Sequence, residues 1–477
     1  MLNRDEWLKQ DLVGLAELAE TGEISRRDIL LSAIAQIEAQ NPVINAVVLT
    51  QFEEALDALE KTAETSRFTG LPYLLKDLHA PAKGMPLSNG SEMFRGTDMG
   101  FDSTTVSRLR AAGFGLLGRT ASPEFGLTIT TESKAWGKTR NPWNTGLSAG
   151  GSSGGAAAAV ASGMVPAAHA TDSAGSIRIP AAYNGLVGLK PTRGVNAIGP
   201  HRGDPNFGMS HEHAVTRTVR DCAALLDVTS GPDQGCPYFT ATPQDGFEAL
   251  LQRPLGKLRI GFLTDRFDGK AIHPASAEAV TQTAHQLSTL GHTVEEARPD
   301  FDFAELTSQA FRLLVGSLAG FFPPEFAAGP MQGFEPMTQR TMRYAAGVSL
   351  HDYLARYAAV NSQVRKMCAF FESYDILLTA ATNGPAHPLG LTSLDQDLEF
   401  DPFVDRLLDL SPFSVPFNAS GQPAMTLPVH QTIDGLPIGV QLVSGFGQDG
   451  CLIQLAAQLE AASDWCTIAP RSPGITR

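Results

Sequence analysis

The stretch 147-LSAGGSSGGAAAAV-160 sets two adjacent serines between pairs of glycines, directly before an alanine-rich run. A second glycine–serine turn follows within 169-HATDSAGSIRIPAA-182. Between the two turns, 155-GAAAAVASG-163 predicts a helix and 164-MVPAAHA-170 predicts a buried strand. One helix–strand unit is therefore flanked by two turns of a kind in which hydrolases often present a nucleophilic serine.

Outward from this unit, strand and helix patterns alternate along the chain. The sequence predicts further strands at 71–77, 114–120, 257–263, 375–381, 423–429 and 437–444, and further helices at 103–113, 218–231, 275–291 and 451–463. Residues 1–60 predict a helical lead, in which Ser25 caps the second helix. The segment from about 305 to 372 predicts helices over one end of the sheet, covering the substrate pocket. This alternation predicts one α/β domain, 1–477.

Composition narrows the class of protein. The 477 residues are 43% hydrophobic, which allows a large core. The formal net charge of −14 argues against a nucleic-acid partner and against binding to an anionic membrane. The start, MLNRDEWLKQDL, lacks the apolar region of a signal peptide, and no run approaches the roughly 18 apolar residues of a membrane span. The five cysteines are scattered and never form a CxxC pair. We therefore predict a cytoplasmic protein with reduced thiols.

A dinucleotide-binding motif is matched by Gly113, Gly115 and Gly118, which fit the pattern GxGxxG. That motif must follow a strand and open a helix, so that the pyrophosphate meets free backbone N–H groups. Here the glycines follow a predicted helix and lie within a predicted strand. A helix cap followed by a strand explains them better.

A nucleophile elbow is matched by 151-GSSGG-155, which fits GxSxG with Ser153 at its centre. An elbow needs an apolar strand leading directly into it, but 139-TRNPWNTGLSAG-150 is polar and rich in turn residues. His387 and His430 follow later in the chain, and the sequence marks neither as the partner of a serine. The sequence therefore argues against an esterase of the α/β-hydrolase type, which ranks as a second alternative behind the two functions given below.

Lys76 offers a different proton acceptor. It ends the apolar run 71-LPYLLKD-77, where burying a lysine would be unfavourable. Desolvation disfavours the ammonium form and lowers the pKa, which makes a lysine a usable base near neutral pH. A surface lysine at the end of a strand is the alternative reading.

Four segments together resemble the amidase signature family. They are LPYLLKD with Lys76, 149-AGGSSGGAAAAV-160, 171-TDSAGSIRIPAAYNGLVGLKPTRG-194 and 416-PFNASGQPAMTLPV-429. The similarity extends over nearly the whole chain, and it looks strongest to the branch that contains nylon-oligomer amidases. It implies the amidase signature fold, a central twisted mixed β-sheet covered by helices on both faces.

The resemblance also implies the roles of individual residues. It implies a Ser–cis-Ser–Lys triad, with Ser176 as nucleophile, Ser152 as the bridging serine after a cis peptide bond, and Lys76 as base. It implies an oxyanion hole at Ser173, Ala174, Gly175 and Ser176, a supporting shell of Ser153, Asp172 and Arg178, and substrate contacts at Phe125, Gly126 and Leu127. Ser317 is a further candidate contact, because it lies in the apolar segment 311-FRLLVGSLAGFF-322 that we expect to form a wall of the pocket. The family commonly has two glycines before the nucleophile, and here the first is Ala174, which would be strained at a positive φ.

The function implied by the resemblance is amide hydrolysis (EC 3.5 class) without a metal or another cofactor. The substrates would be small molecules: aryl amides, linear or cyclic oligoamides, and carbamates (urethanes), with esters as a side activity. The alternative is the glutaminase component of an aminoacyl-tRNA amidotransferase, although 195-VNAIGPHRGDPNFGMSHEHAV-215 differs from the usual segment of that component. His211 and His213 lack a third ligand for a metal and are interpreted as loop residues. The sequence leaves the oligomeric state open, including a homodimer.

Overall fold

The computed structural model describes residues 1–61, 66–320, 322 and 331–470. The strands of this part of the chain are β1 (Val47–Thr50), β2 (Pro72–Lys76), β3 (Gly115–Thr120), β4 (Glu132–Ser133), β5 (Gly137–Lys138), β6 (Arg140–Asn141), β7 (Asn144–Ser148), β8 (Ala167–Asp172), β9 (Val187–Lys190), β10 (His211–Thr216), β11 (Arg259–Phe262), β12 (Thr293–Glu296), β13 (Ile376–Ala380), β14 (Ala424–Gln431) and β15 (Pro437–Ser444).

Its α-helices are α1 (Arg4–Lys9), α2 (Leu12–Glu20), α3 (Arg26–Ile44), α4 (Phe52–Lys61), α5 (Thr104–Ala111), α6 (Gly154–Ala161), α7 (Arg178–Asn184), α8 (Val219–Thr229), α9 (Phe247–Leu250), α10 (Pro274–Thr289), α11 (Phe303–Gly316), α12 (Pro336–Ala346), α13 (Leu350–Cys368), α14 (Phe400–Leu410), α15 (Val415–Ser420) and α16 (Asp449–Ala461). Short 3-10 turns lie at Glu92–Phe94, Glu124–Gly126, Ser317–Gly320 and Ala369–Glu372.

Eleven strands form one mixed sheet in the order β1-β3-β2-β8-β10-β9-β14-β15-β13-β11-β12. β2 is parallel to both of its neighbours, β3 and β8, and β11 is parallel to β12 and β13. The other neighbouring strands of this sheet are antiparallel. The remaining four strands form two small hairpins, β4–β5 and β6–β7. The predicted α/β fold with a mixed sheet is confirmed.

Helices cover both faces of this sheet. Thr171 of β8 and Glu212 of β10 are cross-strand partners, and Thr105 of α5 donates a hydrogen bond to Glu212. The next residue along β8, Asp172, binds Arg178 of α7. Since successive residues of a strand point to opposite faces, α5 and α7 lie on opposite sides of the sheet.

The helices and strands predicted between 71 and 463 are present, with ends shifted by a few residues. Ser25 caps α3 as predicted, because its Oγ accepts the N–H of Asp28 at 3.0 Å. The lead, 1–60, contains α1 to α3 but also strand β1 and the start of α4. The segment 305–372 contains most of α11 and all of α12 and α13, while its residues 321 and 323–330 lie outside the described residues. None of the described helices is long and apolar enough to cross a membrane.

Strand β10 corrects one expectation, since His211 and His213 are not loop residues. Both are buried within the central sheet. His211 Nδ1 lies 2.9 Å from the carbonyl oxygen of Met209, and His213 Nε2 lies 3.4 Å from Cys222 Sγ. A buried strand that carries polar side chains lacks the apolar alternation by which strands are recognised in a sequence.

Candidate active site

Lys76 is the last residue of β2, a strand whose side chains are all buried. Its Nζ lies 2.7 Å from Ser152 Oγ and 2.8 Å from Thr171 Oγ1, and the lysine itself is 0% exposed. Burial lowers the pKa of Lys76 well below its ordinary value, while the negative charges of Asp172 and Glu212 oppose part of that shift. A lysine in this environment can hold a neutral amine at the pH at which most enzymes work.

The two adjacent serines lie between β7 and the start of α6. The peptide bond between Gly151 and Ser152 is cis. The hydroxyl of Ser153 is held by the backbone of Thr171, donating to its carbonyl oxygen at 3.2 Å and lying 3.3 Å from its N–H. The backbone N–H of Ser153 donates to the carbonyl oxygen of Ser176 at 3.3 Å, which ties the two serine turns together.

The second turn, 173–176, joins β8 to α7. Ser176 is half-buried, and it lines the same cavity as Ser152. Gly175 has a φ of 116°, whereas Ala174 does not have a positive φ, so the alanine is not strained there. The N–H of Gly175 donates to Asp172 Oδ1 at 2.7 Å. The predicted oxyanion hole therefore has fewer donors available, because the Gly175 N–H already donates to a carboxylate.

Asp172 and Arg178 form a fully buried ion pair beneath this turn, both 0% exposed. Arg178 donates through Nε and Nη2 at 3.0 Å each, and Asn418 Nδ2 donates at 2.8 Å. Although burial alone would favour the protonated acid, Arg178 and Asn418 hold the pKa of Asp172 below its ordinary range. Arg178 Nη1 also donates to Gln441 Oε1 at 2.7 Å. The ion pair thus connects the turn to β15 and α15.

The cavity beside the serines has a volume of about 290 Å³. Its polar end includes Ser152, Thr171, Ser173 and Ser176. The apolar side chains of its wall include Phe125, Leu127, Phe311, Leu314, Val315, Leu318 and Phe322.

Among the predicted substrate contacts, Phe125, Gly126 and Leu127 line this cavity and Ser317 does not. The hydroxyl of Ser317 donates instead to Asn206 and, at 2.7 Å, to the carbonyl oxygen of Leu314. Of these two partners, Leu314 lies in the last turn of α11, whereas Asn206 lies in the loop before β10 and lines the cavity itself.

A second cavity of about 230 Å³ adjoins the first. Both are lined by His79, Leu87, Asn89, Met99, Thr171, Ser173 and Arg202. The second also reaches His201, Ser210, His211 and Glu212, together with apolar residues such as Phe101 and Ile198. Space therefore extends to two sides of the turn that carries Ser176.

The histidines considered as partners of a serine lie elsewhere. His387 lines neither cavity; its Nδ1 lies 3.0 Å from the carbonyl oxygen of Pro388, and its ring packs edge-on against Tyr183. His430 lies in β14 and lines neither cavity. In the described ranges no three His, Cys, Asp or Glu side chains are grouped so that they could hold a metal ion.

Sequence reasoning missed three residues that hold this site together. Thr171 receives the hydrogen bond of Lys76, and Asn418 and Gln441 bind Arg178. Thr171 and Asn418 lie inside the segments 171–194 and 416–429 that carry the family resemblance, and that was the available signal. Gln441 had a weaker signal, as a polar residue in the otherwise apolar strand 437-PIGVQLVS-444.

Comparison with known proteins gives consistent matches. The family model described as Amidase matches residues 28–453. The chain is 38% identical to a 6-aminohexanoate-cyclic-dimer hydrolase of Paenarthrobacter ureafaciens, over 98% of this chain and 97% of that protein. It is 31% identical to a lipoamidase of Enterococcus faecalis, over 94% of this chain and 62% of that protein. A structure of 6-aminohexanoate cyclic dimer hydrolase complexed with substrate superposes with a TM-score of 0.91 at 37% identity, covering 98% of this chain and 99% of the other.

Proposed function

The chain belongs to the amidase signature family of amide hydrolases, and from this premise we propose that it is a serine amidase that works through an acyl-enzyme. Ser176 is the nucleophile, Ser152 the bridging hydroxyl and Lys76 the base. The observation that carries the proposal is the 2.7 Å contact between Lys76 Nζ and Ser152 Oγ, at the wall of a cavity that Ser176 also lines.

The proton relay follows from the state of Lys76. Because burial disfavours its ammonium form, the neutral amine is available to take the proton of Ser152. Ser152 then accepts the proton of Ser176, whose oxygen attacks the amide carbonyl. Returning the proton by the same route to the leaving nitrogen lets the C–N bond break. A water molecule, activated by the same relay, then hydrolyses the acyl-enzyme.

The charge that develops on the carbonyl oxygen needs hydrogen-bond donors. Since the N–H of Gly175 is engaged by Asp172, we assign this task to the backbone N–H groups of Ala174 and Ser176. Neither N–H donates a hydrogen bond to any other described residue. A donor of this kind typically contributes about 3–4 kcal/mol to stabilising the transition state. Asp172 and Arg178 hold the turn in place, and they do not touch the substrate.

The substrates proposed are small to medium, largely uncharged amides. The apolar wall of the first cavity suits an acyl chain or an aryl group, since burying apolar surface yields about 25 cal/mol per Å². The adjoining cavity of about 230 Å³ offers room for the amine portion. Relatives named for hydrolysis of 6-aminohexanoate cyclic dimer support cyclic oligoamides within this range, and we include linear oligoamides beside them. Aryl amides and carbamates belong to the range as well, with esters as a side activity, and we propose cytoplasmic action on small molecules.

The test is hydrolysis by the purified chain alone, with no partner protein present. A panel would hold p-nitroanilides of increasing acyl length, a nitrophenyl carbamate, 6-aminohexanoate cyclic dimer and free glutamine. We expect kcat/KM to rise with acyl length, and an activated phosphonate to label Ser176 in the wild type but not in Ser176→Ala. If glutamine is the best substrate, or activity needs tRNA together with a partner protein, the chain is the glutaminase component of an amidotransferase and this proposal fails.

A further inference from the structure

A buried carboxylate that the proposed relay does not use lies close to Lys76. Glu212 is the cross-strand partner of Thr171, the residue whose hydroxyl contacts Lys76 Nζ. The Glu212 side chain is 3% exposed. Its Oε2 accepts a hydrogen bond from Thr105 Oγ1 at 2.8 Å, whereas its Oε1 has no hydrogen-bond partner among the described residues.

His169 lies between this carboxylate and the backbone of Lys76. The backbone N–H of Lys76 donates to His169 Nδ1 at 3.4 Å, so the ring carries its proton on Nε2. His169 Nε2 lies 3.6 Å from Glu212 Oε2, and the histidine is 0% exposed. The imidazole therefore lies between the backbone of Lys76 and the carboxylate of Glu212, although its Nε2 makes no hydrogen bond to that carboxylate.

Two carboxylates lie near Lys76, and only one is neutralised by a cation. Asp172 is paired with Arg178 through two hydrogen bonds of 3.0 Å. Glu212, by contrast, makes no ion pair with a lysine or arginine in the part of the chain that the structure describes. Its negative charge is therefore neutralised less directly than that of Asp172, since Arg202 acts on it only as a more distant charge.

Other titratable groups also act on this region. In the turn after β2, burial lowers the pKa of His79 most, and the charge of Arg202 and then those of Lys76 and His169 lower it further. From the loop between β9 and β10, Arg202 feels the charge of Glu212, which opposes the lowering of the Arg202 pKa by burial. Neither group is an anion, so neither can balance a positive charge on Lys76.

We propose that Glu212 is a positioning residue whose carboxylate is the counter-charge for the ammonium form of Lys76, an inference that rests on the proposed role of Lys76 as base. When Lys76 takes the proton of Ser152, a positive charge appears at a fully buried site, where an unbalanced ion is unfavourable. The fixed negative charge of Glu212 stabilises that state. It thereby keeps Lys76 basic enough to accept the proton.

The experiment measures kcat/KM against pH for a p-nitroanilide. Glu212→Gln keeps the size of the side chain and an acceptor for Thr105, but it removes the charge. We expect the midpoint of the acid limb to fall by about one pH unit, because the ammonium form is less stable, and the plateau to fall about tenfold. Glu212→Asp keeps the charge and should leave the midpoint near that of the wild type. Glu132→Gln removes another carboxyl that is 3% exposed, paired with Lys138 at 3.5 Å, and should not move the midpoint.

Glu212→Met is the second variant if Glu212→Gln does not fold, since apolar replacement of a buried charge is often tolerated. It should shift the midpoint in the same direction. A folded variant with a lower plateau but an unmoved midpoint would show that Glu212 is merely structural, and the inference would be overturned. Undiminished activity in Lys76→Ala would overturn the proposed function itself, so the two failures are distinguishable.

Discussion

Replacing Asp172 with asparagine tests the buried ion pair that holds the nucleophile turn. The carboxylate accepts hydrogen bonds from Arg178, from Asn418 Nδ2 at 2.8 Å, and from the N–H groups of Gly175 and Ile177 at 2.7 and 3.1 Å. Asparagine has nearly the same size, but it carries no charge and places an NH₂ group among these donors. The guanidinium of Arg178 would then stay buried without its counter-charge.

The expected loss of stability can be worked from this environment. Removing one partner of a buried ion pair typically costs about 3–5 kcal/mol, because the other charge is left uncompensated. That is a large part of the roughly 5–15 kcal/mol by which proteins are stable. The matched control is Asp409→Asn, since Asp409 pairs with Arg266 at 2.6 Å but its side chain is 68% exposed, and Arg266 keeps a second carboxylate, Asp268, at 3.2 Å. An exposed pair contributes only about 0–1 kcal/mol.

The assay is denaturant unfolding of the wild type and both variants over a range of pH. The pKa of Asp172 is held below its ordinary range in the folded protein, so its contribution is complete above the unfolded pKa of about 3.9. It is lost only as the pH falls through the lower, folded pKa. The difference between wild type and Asp172→Asn should therefore stay constant from about pH 8 to pH 5. A cost no larger than that of Asp409→Asn, or a difference that vanishes near pH 6, would refute the reasoning.

Three further outcomes are expected. Ser176→Ala should lower kcat by at least about 10⁴-fold with little change in the denaturation midpoint. Ser153→Ala should keep much of the activity, because it loses only contacts to the backbone of Thr171. Lys76→Ala should lower the rate of hydrolysis by about 10²–10⁴-fold or more. The wild-type pH–rate profile should rise to a plateau as the lysine loses its proton, because burial lowers the pKa of Lys76. Gly126→Ala should reduce kcat/KM about tenfold or more, since at a φ of +72° its Cβ would lie 2.8 Å from Leu78 Cδ2 and 3.1 Å from Ser152 Oγ. Gly84→Ala, with a φ of +82° and open space around it, measures the backbone strain alone by thermal unfolding.

Local patterns in the sequence determined most of the helices and strands. Short-range signals predicted several of these elements closely: the glycine after α5, the Ser25 cap of α3 and the apolar runs of β2 and β3. β10 was missed because the signal of a strand is its apolar side chains. Here His211 and His213 are polar residues, and the partner of His213, Cys222, lies in α8.

The candidate site was determined by the sequence only as a set of residues. Lys76 was indicated by its position at the end of an apolar run, and the roles of Lys76, Ser152 and Ser176 by a family resemblance, without any means of predicting their distances. Tertiary structure decided that β2 and β8 run side by side, which brings Lys76 Nζ within 2.8 Å of Thr171 Oγ1 across a gap of 95 positions in the chain. Contacts between residues far apart in sequence depend on how the whole sheet is assembled, and no local pattern encodes them. The same is true of the burial that lowers the pKa of Lys76, because desolvation is produced by every element that packs around a group.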